Sequence, residues 1–199
     1  MKKTNTIFII PLRLIIFFLV FTGYGITLPA QTVFKQSGTN SVMVGGTSTL
    51  HNWEMKSGDV TIEATFKTSA EGKPIQLDAL KVTILAESLK SGKGSMDKNA
   101  YSSLKTDKYK TIAFDMTGSK MEAGRITCNG NLTIAGVSQK IDIEVTAAIQ
   151  PDNSIQCKGE KKFKMTDYKV EPPSFMMGTI KTGDEITISL DVHLSHVKP

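Results

Sequence analysis

The residues whose types could do chemistry are few: three histidines, two cysteines and one glycine-rich basic loop. A metal centre needs ligands that converge on one point. His193 and His196 are three apart on or just past an extended segment, so they point to opposite faces. No cysteine or carboxylate pattern joins them, and neither metal nor cofactor is expected. Nucleophilic catalysis has as little to work with. No Gly-x-Ser-x-Gly elbow occurs, and three-residue spacing in an extended strand separates Ser48 from His51. Cys128 and Cys157 lie on apolar faces without an adjacent base, whereas an active thiolate needs an electropositive, partly exposed setting. Ser91-Gly92-Lys93-Gly94-Ser95 is not a P-loop. It does offer backbone N–H groups, a helix start and a lysine, which suit an anion. Lys93 and Ser95 are therefore candidate contacts for the polar head of a ligand; the plain alternative is a flexible strand-to-helix turn. No catalytic residue is expected.

The elements that would position these groups are mostly strands. Period two dominates: Val60, Ile62, Ala64 and Phe66 share one face, as do Val82, Ile84 and Ala86. Ile112, Phe114 and Met116 alternate with Thr111, Ala113 and Asp115, and Ile126, Cys128, Gly130, Leu132 and Ile134 share one side. So do Ile141, Ile143, Val145, Ala147 and Ile149, then Ile186, Ile188, Leu190, Val192 and Leu194. Strands with one apolar and one polar face lie between a core and water. Many of them, joined by turn residues, predict a sandwich or barrel. One stretch differs: Met96, Ala100 and Leu104 recur at helical spacing in 95–105, with Ser95 a candidate N-cap and Asp97 in the first turn. The chain is thus read as all-β with one helix, in one domain over 31–199.

The first thirty residues read as a secretory signal: Lys2, Lys3 and Arg13, the apolar run Leu14–Phe21, then Gly23, Gly25, Pro29 and Ala30. Cleavage is expected after Ala30, giving a periplasmic or secreted protein with no stable membrane span after cleavage; the rival is an uncleaved anchor, for which the run is short. Loss of those three basic residues leaves 21 basic against 19 acidic, a balance of +2. Such a balance, with lysines scattered among acids, gives no case for nucleic acid. Hairpins about 135–140 and 150–154 would pair Leu132 with Ile143, Cys128 with Ala147, and Ala147 with Cys157. Two strand spacings then separate the cysteines, beyond disulfide reach, so both are expected to be free.

Several segments, in order, resemble the YceI-like family. They are Gly46-Thr47-Ser48-Thr49-Leu50-His51-Asn52-Trp53, Leu85-Ala86-Glu87-Ser88-Leu89-Lys90-Ser91-Gly92, and Met96-Asp97 through Leu104-Lys105. Tyr109-Lys110-Thr111-Ile112-Ala113-Phe114, Gly130-Asn131-Leu132-Thr133-Ile134-Ala135-Gly136-Val137 and Met165-Thr166-Asp167-Tyr168 follow, with Lys181 through Ile186 last. Lys110 departs from the pattern, which usually has proline after the tyrosine. The resemblance implies a lipocalin-like antiparallel barrel of eight strands with a helix beside it. It also implies binding of a lipid or polyisoprenoid.

Taken together, these readings predict an exported protein that holds a long apolar ligand (a polyisoprenoid, quinone or other lipid) inside the barrel, for carriage or sequestration. The alternative is a non-catalytic structural or interaction module with a solid core. The expected lining comprises Trp53, Ile62, Ala64, Phe66, Val82 and Ile84, with Ala86, Phe114, Cys128, Leu132 and Ile143, and then Val145, Ala147, Ile188 and Leu190. Small residues on these faces (Ala64, Ala86, Gly130, Ala147, Gly159) are expected to keep the lumen open, since a solid core would use their volume. The apolar loop 171–178 is a candidate cap for the barrel mouth.

Overall fold

The computed structural model describes residues 30–175 and 178–197. The expected signal segment, except Ala30, lies outside the described residues, as do Met176 and Met177 of the apolar loop. Eleven strands and one helix follow in chain order. They are β1 (Ala30–Gln36), β2 (Ser41–Ser48), β3 (Trp53–Ser57), β4 (Val60–Thr68), β5 (Pro74–Leu85), α1 (Gly94–Leu104) and β6 (Thr111–Glu122). Then come β7 (Arg125–Ile134), β8 (Val137–Ile149), β9 (Ile155–Lys164), β10 (Ser174–Phe175) and β11 (Ile180–His196).

All pairings are antiparallel, and the sheet closes on itself: β1 bonds β4 on one side and β11 on the other. The long β11 explains how eleven strands make eight staves. Its end, from Leu194 to His196, pairs with β1, while Thr182–Asp191 pairs with β2. β1 and β2 are therefore two pieces of one kinked stave. β3, on β2, and β4, on β1, form another. With β5 to β9 and β11 the closed antiparallel barrel has eight staves, the architecture the family resemblance implies, and α1 lies beside it.

Tight turns set the register. Ala123 and Gly124 (φ 47° and 77°), then Ala135 and Gly136 (φ 48° and 77°), occupy the left-handed region at the two central positions of two-residue hairpins, the geometry that matches strand twist. The second turn corrects the sequence register. β8 starts at Val137, not beyond residue 140, so Leu132 faces Gln139 and Cys128 faces Ile143. Ala147 faces Cys157 as expected. Both cysteines are free and buried.

One end of the barrel is sealed. Phe34 and Phe66, buried with an edge-to-face contact at 5.0 Å between ring centroids, pack there with Leu77, Ile126, Ile155 and Leu194 in the core.

Candidate functional site

The other end is open, and its rim is built by three segments. The first is the β2–β3 connection. Trp53 lies opposite Gly46, where a Cβ would fall 2.6 Å from the indole Cζ2; only a glycine lets the ring lie flat on β2. The indole Nε1 donates to the Thr47 carbonyl at 3.0 Å. Ser48 Oγ donates to the His51 carbonyl at 2.8 Å and accepts from the N–H groups of Leu50 and His51. This turn leaves Leu50 exposed at the rim (66 %), beside His51.

α1 forms the second segment. Met96, Ala100 and Leu104, the residues picked out by helical spacing, turn toward the barrel with Asn99 and Ser103. Tyr101 anchors the helix to residues 87–90: its hydroxyl donates toward the carbonyls of Glu87 (2.9 Å) and Leu89 (2.8 Å) and accepts from Lys90 Nζ at 2.6 Å. The N-cap position is Lys93, without a side-chain cap, and not Ser95. Asp97, inside the first turns, instead ties the preceding loop to the helix. Its carboxylate accepts from Ser91 N–H at 2.8 Å and Ser91 Oγ at 2.6 Å, and those bonds, the hydroxyl's first, hold it below the usual carboxylate range. The loop thus already holds an anion of its own, although Lys93 and Ser95 do line the mouth.

The third segment is the 3₁₀ turn Met165–Tyr168 with the chain that follows. Asp184 fixes it, accepting from Thr166 N–H at 3.0 Å and Thr166 Oγ1 at 2.7 Å. Tyr168 packs edge-on against Phe163 at 5.2 Å. Its hydroxyl is buried without a hydrogen-bond partner among the described residues, and burial, then Asp167, pushes its pKa up to about 12.

These segments enclose an outer chamber of about 430 Å³. Its walls include Val44, Trp53, Met55, Leu89, Tyr168, Val170 and Ile186, and Pro173 and Phe175 of the expected capping loop also reach it. Below lies an inner chamber of about 130 Å³ toward the sealed end. Val42, Ile84, Ile112, Phe163 and Ile188 line both. The lining is almost wholly apolar, as in pockets for apolar ligands.

Most of the expected lining residues face these chambers. Trp53 faces the outer one; Ile84 and Ile188 face both. Ile62, Ala64, Phe66, Val82, Phe114 and Cys128 face the inner one, as do Leu132, Ile143, Val145 and Leu190. Ala86 and Ala147 face neither. Strand β5 ends at Leu85, so Ala86 falls in a buried 3₁₀ turn with its N–H on the Lys110 carbonyl. Ala147 sits in packed core, its N–H on the Gly124 carbonyl. The glycines do not hold space open either. A Cβ at Gly130 would lie 2.5 Å from Phe114 Cζ and 2.6 Å from the Asp115 carbonyl oxygen, so the neighbours already use that volume. Open volume comes instead from α1 and the rim segments standing off the barrel. Sequence reasoning placed Met96, Ala100 and Leu104 on one helix face, but not over a cavity. It gave no sign of Met55, Leu89, Met165 or Ile180 as lining.

The thiols of Cys128 and Cys157 are pushed up by burial to about 11 and about 12, the latter also by its neighbour Cys128. Both stay protonated at neutral pH and are poor nucleophiles. Among the described residues no three His, Cys, Asp or Glu side chains cluster in a way that could hold a metal. No helix there is long and apolar enough to cross a membrane.

The YceI-like domain model matches residues 29–194. The chain belongs to the YceI-like family. Solved structures with a similar fold include BcnA of Burkholderia cenocepacia, at 15% identity and a TM-score of 0.64, covering 78% of this chain and 96% of that one. A polyisoprenoid binding domain from Saccharophagus degradans, implicated in plant cell wall breakdown, is 11% identical with a TM-score of 0.62, covering 83% and 99%. The YceI protein of Campylobacter jejuni is 22% identical with a TM-score of 0.54, covering 69% and 82%. No curated protein matches the chain. At these identities the likeness is one of fold, and the YceI-like barrel of this chain carries its own lining.

Proposed function

We propose that this YceI-like protein is an exported carrier or sequestering protein that holds one long apolar ligand, a polyisoprenoid, quinone or other lipid, within residues 31–199. The observation that carries the reading is the outer chamber of about 430 Å³ with its almost wholly apolar walls. An open apolar volume of that size forfeits packing that a solid core would use, and an apolar chain entering it would restore those contacts. The polyisoprenoid-binding description of the Saccharophagus domain supports the ligand class, and the basic-apolar-small order of residues 1–30 supports export to the periplasm or beyond. The protein acts by binding rather than by catalysis: its two thiols are buried and stay protonated at neutral pH.

The solid-core interaction module is the weaker reading, because two chambers interrupt the core. Extraction of the purified protein into organic solvent, followed by mass spectrometry, tests the proposal. A stoichiometric long-chain lipid is the expected result. Protein that carries no lipid from its own host, and takes up none from added polyprenol or quinone, would sink it.

A further inference from the structure

The barrel wall is not closed along its whole height. β8 spans thirteen residues and β9 ten, yet ladder pairs join only Val145–Ile149 to Ile155–Gly159. Beyond them β8 bonds only β7, and β9 only β11. The fork opens at Gly159. A Cβ there would lie 2.6 Å from the Glu144 carbonyl oxygen and 2.8 Å from Val145 Cγ1, so the β8 chain crosses the place where any other residue would put its side chain. Past the fork the inner-face residues Ile141, Ile143 and Phe163 are only partly buried, whereas Ile155 and Cys157 below it are fully so.

Lys161 reaches through this gap. By alternation it belongs to the inner face of β9 with Cys157 and Phe163, and its side chain lines the inner chamber. Asp142 alternates with Ile141 and Ile143 and is exposed on the outer face of β8. Lys161 Nζ nevertheless donates to Asp142 Oδ2 at 3.1 Å. An inward residue meets an outward one on the next strand only by passing through the plane of the wall. Among the described residues Lys161 is the one charged side chain that lines the inner chamber. Its partner carboxylate is largely in solvent, and ion pairs of that kind are weak, so another anion can take its place.

We propose that the seam between β8 and β9 is a head-group site for a single-chain amphiphile with an acidic head, a carboxylate or phosphomonoester. The head's oxygens replace Asp142 on Lys161 while the tail lies in the apolar lumen. The site rests on the reading of the lumen as a ligand cavity and adds to it the class of head and the residue that recognises it.

Palmitic acid and hexadecan-1-ol, equal in chain length, would be titrated at pH 8 into delipidated full-length protein. Lys161→Met keeps an unbranched apolar stem and removes the charge; the acid-to-alcohol affinity ratio should fall about tenfold, the worth of one charge-assisted hydrogen bond. Asp142→Asn removes the competing carboxylate, and the ratio should rise. Opposite movements cannot come from general damage to the fold. Excess free acetate should leave palmitate bound, since the tail supplies much of the affinity. A ratio unmoved in both variants, a shift in the same direction in both, or ready displacement of palmitate by acetate would overturn the seam site. If neither palmitate nor hexadecanol binds the parent, the seam site falls, while the reading of the lumen as a ligand cavity stands or falls separately on uptake of polyprenol or quinone.

Discussion

Replacing Ala100 by phenylalanine tests whether the outer chamber is real free volume. Ala100 is half-buried on the face of α1 that lines the chamber. A ring placed there enters about 430 Å³ of apolar space. Burying a phenylalanine side chain is worth roughly 1.5–3 kcal/mol, against up to about 0.7 kcal/mol of lost helix propensity relative to alanine. The net is a gain of roughly 1–2 kcal/mol, or about 2–8 °C in melting temperature for a domain of this size. Ala147→Phe is the contrast, because Ala147 lies in packed core and lines neither chamber. Overpacking there costs roughly 1–3 kcal/mol. The assay is a thermal melt of delipidated protein, paired with lipid content after expression. Ala100→Phe should melt at or above the parent and carry less lipid; Ala147→Phe should melt below it. If Ala100→Phe falls as far as Ala147→Phe and its lipid content is unchanged, the chamber is not the ligand site.

Other outcomes follow from the core and the seals. Tyr168→Phe removes a buried hydroxyl that has no partner among the described residues, so chemical denaturation should show stability equal to the parent or higher by up to about 1 kcal/mol. Gly130→Ala forces a methyl against Phe114 and the Asp115 carbonyl; a loss of roughly 1–3 kcal/mol is expected, read as a lower denaturation midpoint with an unchanged slope. The cysteine thiols have folded pKa values raised above the 9.0 of an ordinary thiol, to about 11 and about 12. The unfolded chain therefore loses those protons first, so stability is intact below pH 9 and declines as pH rises toward 11. A Cys128→Ala, Cys157→Ala double variant should show a shallower decline over that window. Alkylation of native protein at pH 7.5 should be slow, and both cysteines should react after unfolding without reductant.

The strands were legible because the barrel obeys one rule at nearly every position. Val60 to Phe66 and Ile126 to Ile134 alternate, and the alternation reports directly which side meets the core. What alternation does not encode is length between elements. Ala135-Gly136 reads as a turn in sequence, but only its two left-handed residues reveal that nothing else belongs to the loop. That one misjudged loop length moved the partners of Leu132 and Cys128 by four residues. Alternation also does not mark where a strand stops: Ala86 continues the pattern of Val82 and Ile84, yet β5 ends at Leu85. The small residues misled for a different reason. A missing side chain in sequence is open volume only if no neighbour fills it, and Phe114 fills the space over Gly130 while the β8 main chain fills that over Gly159.

The asymmetry between the two ends of the barrel follows from where staves are continuous and where they break. At the sealed end β1 and β4 are paired over six residues and bring Phe34 against Phe66. Toward the mouth the same two staves have become β2 and β3, joined to the rest of the wall beyond β3 by a single bridge between Lys56 and Lys90. β8 and β9 part company on the way to this end too. A wall that loses ladder bonds on two sides widens, and the space so made is closed over by α1, the 3₁₀ turn and the Ser48 turn rather than by strands. Side-chain bonds do the closing: Tyr101 to residues 87–90, Asp184 to Thr166, Gln139 Nε2 to the Asp167 carbonyl at 2.9 Å. Such contacts open locally at less cost than a strand ladder. On the proposed reading, the rigid end of this barrel can therefore fix the tail of a ligand while the mouth, held by a few side-chain hydrogen bonds, lets it in and out.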